Sequence, residues 1–100
     1  MTEDIQRKVR NIVEALSIKG FDIGRSGDLE DRRKKGGYDD IIPVTGRLSC
    51  KKAGAIEGHV RTAFCSHPKF RGHACDARGG CPTNKLQQVY VAIYKNKKQT

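Results

Sequence analysis

The sequence predicts an α+β fold, an N-terminal amphipathic helix packed on a small antiparallel sheet. Three observations lead there. Apolar residues recur every three or four positions near the start, they alternate near the end, and a glycine- and charge-rich stretch divides the two patterns. One hundred residues make a single small domain. Its expected parts are a helix and turn over 1–23, a flexible charged loop over 24–40, a β-rich basic part over 41–95 and a basic tail over 96–100.

The helix is expected over residues 3–19. Ile5, Val9, Ile12, Val13 and Leu16 line one face, Thr2 can cap the first turn, and Glu3 and Asp4 suit its positive dipole end. Gly20 suits the stop. The apolar stripe is read as packing on the sheet, and also as the seam of a homodimer. Residues 24–40, GRSGDLEDRRKKGGYDD, hold four glycines and almost no apolar side chain, which predicts a surface loop. From Tyr38 onward β residues gather. Ile41, Ile42 and Val44 predict a strand that Pro43 places at an edge. Ile56, Val60 and Phe64 fall on even positions and predict a second strand. LQQVYVAIYK predicts the last, with Val89, Val91 and Ile93 on one face and Tyr90, Ala92 and Tyr94 on the other.

A core this small invites a staple, and the loop Cys65–Cys81, CSHPKFRGHACDARGGC, offers one. Cys65, His67, His73, Cys75 and Cys81 are candidate ligands for a single structural Zn2+, because thiolate and imidazole are what a tetrahedral zinc site takes. Cys65, Cys75 and Cys81 with one of the two histidines would close it, and Cys50 stands in reserve. Pro68, Gly72 and Gly79-Gly80 supply the bends. The fold so read carries a zinc-stapled loop before the last strand. The opening MTEDIQRKVR has no apolar run of a secretory signal, and no stretch has the length and apolarity to span a membrane. The expected location is therefore cytoplasmic or nuclear, where reduced, metal-bound cysteines are expected in place of disulfides.

Charge is lopsided. Residues 1–31 carry five Lys/Arg against seven Asp/Glu, whereas residues 32–100 carry fifteen against four, a net +11. A field of one sign over two thirds of the chain attracts polyanions. The expected partner is nucleic acid, RNA ahead of DNA, held through phosphate with weak base preference. Its candidate contacts are Arg32, Arg33, Lys34, Lys35, Lys51, Lys52, Arg61, Lys69, Arg71, Arg78 and Lys85, with Tyr90 and Tyr94 as stacking surfaces. In composition the chain resembles small basic Cys/His-containing accessory proteins of viruses, some of which bind RNA and interfere with RNA silencing. A zinc-stapled module or inhibitor that captures an acidic protein has the same charge requirement.

An enzyme is not expected. Asp39, Asp40, Glu57 and His59 could hold Mg2+ for phosphodiester cleavage, which keeps a small metal-dependent nuclease as a further alternative. The pattern at Glu57 and His59 lacks the lysine usual after such a carboxylate, and no G-x-S-x-G, HExxH or Walker loop is present.

Overall fold

The computed structural model describes residues 2–72, 81 and 84–95. These form a small α+β fold of three helices and a three-stranded antiparallel sheet. The order is α1 (Thr2–Val13), β1 (Gly20–Ser26), α2 (Leu29–Gly36), β2 (Asp40–Pro43), α3 (Cys50–Phe64) and β3 (Gln88–Tyr94). The sheet order is β1-β3-β2, so the last strand lies between the other two. Gly20 pairs with Tyr94 and Ser26 with Gln88 on one side, and Asp40 pairs with Ile93 and Pro43 with Tyr90 on the other.

The amphipathic stripe of α1 goes into the core, with Ile5, Val9 and Val13 buried. The helix stops at Val13, short of the expected Lys19, because Ile18 must turn inward toward that same core. Lys69 secures the stop. Its Nζ donates to the carbonyls of Val13 at 2.8 Å and Ala15 at 3.0 Å, filling acceptors a helix end leaves open. Leu16 is stranded outside at 91% exposure.

β1 spans the end of the expected helix and turn and the start of the stretch read as a loop, and α2 lies within that loop. β1 buries Phe21 and Ile23 against the helices, and their partners Ile93 and Val91 sit on the same face of β3. α2 buries nothing, so no apolar period announces it. Local terms hold it. Asp28 Oδ1 accepts from Asp31 N at 3.0 Å, and Glu30 and Asp31 lie at its positive end. Arg33, Lys34 and Lys35 lie at its negative end, and Gly37 stops it at φ 68°.

The strand expected through Ile56, Val60 and Phe64 is instead part of α3. A spacing of four fits a helical stripe as well as an even-numbered strand face, and the stripe runs Ala53, Glu57, Val60, Arg61 and Phe64. Ser49 caps it, its Oγ accepting from Lys52 N at 3.3 Å. α1 and α3 cover one face of the sheet. Phe21 is the hub of that core, edge-on to Phe64, His67 and Phe70. β2 is an edge strand, as Pro43 predicts, and β3 carries the expected alternation with both faces buried.

The zinc staple is not what ties the fold. Cys50, which was only the reserve ligand, and Cys81 form a disulfide across 31 residues, with Cα atoms 5.5 Å apart. Cys65 is disulfide-bonded as well. Oxidised sulfurs cannot serve as thiolate ligands, and the described residues contain no group of three or more His, Cys, Asp or Glu side chains able to hold an ion. His67, the remaining described candidate, is engaged elsewhere: its Nδ1 accepts from Lys69 N at 3.1 Å and its ring packs on Phe21. His73, Cys75 and Arg78 lie outside the described residues.

Candidate functional site

A coupled polar cluster gathers along β1. Asp22 and Gly24 alternate with the buried Phe21 and Ile23, so they face away from the helices, beside Ala92 and Tyr90. Tyr90 is only 5% exposed because its ring crosses Gly24. A Cβ there would stand 2.5 Å from Tyr90 Oη, so the close approach requires glycine. Tyr38, delivered by the turn after α2, packs on Tyr94 with ring centroids 5.3 Å apart. Three tyrosines therefore share the face opposite α1 and α3.

Four charged side chains meet between β1 and α3. Glu57 on α3 takes Arg25 Nε at 3.0 Å and Arg61 Nη1 at 3.7 Å. Arg61 also reaches Asp22 Oδ1 at 3.3 Å and donates to the carbonyl of Ile23. Burial raises the Glu57 pKa even though both arginines pull it down, and Asp22 adds to the rise. Asp22 links the two halves of the cluster, since its charge also helps raise Tyr38, Tyr90 and Tyr94.

Burial is the first cause of all three tyrosine shifts. Tyr94 is pushed up to about 12, with Tyr38 and Asp22 adding to it. Tyr90 moves further, and Tyr38 moves up as well. The phenols stay protonated donors throughout the neutral range. Their native pKa values lie above the unfolded value of about 10, so the folded state holds protons that the unfolded chain releases. That stabilisation is complete below pH 10 and is lost as pH rises through the folded values. The expected result is a melting temperature that falls steeply between about pH 10 and 12. Tyr38→Phe and Tyr94→Phe should blunt the fall, and thermal scans across that range check it.

The sequence-predicted cations reach different fates. Arg32 on α2 lies close enough to Tyr38 and Tyr90 to lower their pKa, and Arg71 acts likewise on Tyr94. Both are exposed, and Arg71 lies over Gly20, the register partner of Tyr94. Arg71 also donates to the Lys19 carbonyl at 3.2 Å. Lys34, Lys51, Lys52 and Lys85 are exposed. Arg33 pairs with Glu30 at 2.6 Å and Lys35 with Asp31 at 3.2 Å. Arg61 is buried inside the cluster and Lys69 caps α1, so both serve the fold.

The candidate nuclease carboxylates are not assembled. Asp39 Oδ2 accepts from Lys95 N at 2.7 Å and Asp40 Oδ1 from Ile41 N at 2.8 Å, whereas Glu57 faces Arg61, Arg25 and Asp22. His59 is exposed on α3. Asp22, Arg25 and Tyr38 escaped the sequence reading. The signal available was charge inside GFDIGR, where Phe21 and Ile23 alternate with Asp22 and Gly24 as a strand would, together with Glu57 and Arg61 four apart, a helical spacing. Comparison with protein-family models, curated proteins and solved structures finds no significant match to this chain.

Proposed function

We propose that this chain is a nucleic-acid-binding protein that grips phosphate with exposed cations and sets unpaired bases against the tyrosine face. The observation that carries this reading is the exposed Arg71 side chain lying over Gly20, which pairs with Tyr94, the ring on which Tyr38 packs. Cations neutralise phosphates, and half-buried rings offer stacking surfaces that any base can use. RNA is the favoured form because its loops and ends present unstacked bases. Tyr90 lies too deep to stack, so Tyr94 and Tyr38 take that role. Among the described residues no helix is long and apolar enough to cross a membrane.

One observation favours a second reading, cleavage of the bound phosphodiester. Two carboxylates, Glu57 and Asp22, both approach Arg61 Nη1, at 3.7 and 3.3 Å. Mg2+ is commonly held by one or two carboxylates plus substrate phosphate oxygens. The two readings separate in one experiment. Labelled single- and double-stranded RNA and DNA are incubated with the protein in Mg2+ or chelator, and both retention and fragment length are read. Retention without cleavage supports the binding reading. Mg2+-dependent fragments lost in Glu57→Gln support the nuclease. An absence of retention at low salt for every nucleic acid removes both and favours an acidic protein partner.

A further inference from the structure

The Cys50–Cys81 disulfide does not sit in an inert core. Arg25 Nη1 donates to Cys50 Sγ at 3.1 Å and lies 3.7 Å from Cys81 Sγ, and it also takes the Cys50 carbonyl at 2.8 Å and Gln87 Oε1 at 3.3 Å. Cys50 is the first residue of α3, next to the Ser49 cap, where the helix dipole favours negative charge. The two sulfurs differ in access. Cys50 is 6% exposed and Cys81 is at the surface.

We infer that Cys50 and Cys81 form a reversible dithiol–disulfide site, opened by small-molecule or protein dithiols, in which Cys81 is the sulfur attacked and Cys50 the leaving thiolate. The inference stands apart from the nucleic-acid reading. The incoming thiolate attacks the exposed Cys81 Sγ, a mixed disulfide forms there, and the Cys50–Cys81 bond breaks with its electron pair on Cys50. The second thiol of the reductant, once deprotonated, then attacks its own sulfur in the mixed disulfide and expels Cys81 as a thiolate. One dithiol is oxidised to a disulfide, one disulfide is reduced to two thiols, and the protons of the dithiol end on Cys81 and in solvent or on Cys50. A low leaving-group pKa speeds such exchange.

The charges around Cys50 decide whether its thiolate is held. Burial opposes it, and so does Glu57 on the same helix, which shares Arg25 through Nε at 3.0 Å. Arg25 from β1, Lys51 and Lys52 in the first turn of α3, and the helix end itself favour it. A guanidinium in direct contact with sulfur at a helix N-terminus is the arrangement that brings cysteine pKa values from about 8.5 to about 3.5–7.5. Arg25 is thus a positioning residue for the sulfur chemistry and a partner of the Glu57 carboxylate.

Two measurements test this. Native protein is treated with glutathione, quenched with acid, and the mixed disulfide located by peptide mass. The adduct is expected on Cys81, and an adduct on Cys50 overturns the assignment. In Cys81→Ser protein with the Cys65 disulfide kept oxidised, thiolate absorbance is followed against pH. The midpoint for Cys50 is expected at least one unit below the ordinary value of about 8.5, rising when Arg25→Gln is added and falling when Glu57→Gln is added. A midpoint at or above the ordinary value, or one that neither substitution moves, contradicts the inference. Circular dichroism identifies a variant that has unfolded, in which case Arg25→Lys, which keeps the charge, is expected to hold the midpoint low.

Discussion

Glu57→Ala is expected to destabilise the fold by about 3–5 kcal/mol, the cost of breaking a buried ion pair from one side. The loss does not measure a favourable bridge. The raised Glu57 pKa means that burial outweighs both arginines for the ionised carboxylate, so the triad gains little over apolar side chains of the same shape. The cost comes from stranding two guanidiniums whose side chains are each only 10% exposed. Glu57→Gln keeps an acceptor between them and should cost less. Replacing Arg25, Glu57 and Arg61 together with Met, Leu and Met should cost far less than the three single losses added, because the charge that loses its partner, Asp22, is partly open to solvent. Urea unfolding of the five variants, with unchanged slope, checks the ordering.

Removing phosphate contacts is the second large effect. Arg32, Lys34, Lys51 and Lys52 are exposed, and no ion pair among the described residues engages them. Each is expected to neutralise one phosphate. Replacing all four with alanine should flatten the dependence of log K on log salt by about 2.8 on single strands and about 3.6 on duplex. The fold should hold, since none of the four is buried. Arg61→Ala and Lys69→Ala are the contrasting controls. Both were candidate contacts by charge alone, and both should act on stability before binding.

How far the fold was legible follows from which faces are buried. α1 and β3 announce themselves because each buries a regular face, Ile5, Val9 and Val13 on one and Val89, Val91 and Ile93 on the other. β1 was hidden since its partner β3 lies about seventy residues on, and its other face carries Asp22 and Gly24. α2 was hidden because caps and ion pairs one turn apart hold it, with no apolar stripe at all. α3 was misread through a spacing of four that two periods share. The cysteines show a different limit. Four thiols admit a metal site or several pairings, and spacing alone could not bring Cys50 to Cys81. At the site, Arg71 and Tyr94 were legible from composition, but their placement side by side across Gly20 was not. It depends on β3 threading between β1 and β2 and on Gly24 letting Tyr90 lie across the strand.

The most direct test of the account is the equilibrium binding of the unmodified protein to single-stranded RNA across a salt series. Five phosphate contacts, Arg71 added to Arg32, Lys34, Lys51 and Lys52, predict that affinity falls about 130-fold between roughly 50 and 200 mM salt, with little change when the base sequence is scrambled. Loss of the Tyr94 ring by Tyr94→Ala should then weaken single strands by about 1–3 kcal/mol and leave duplex nearly unaffected. Affinity that is independent of salt, or no binding at the lowest salt to any RNA or DNA, would contradict the account.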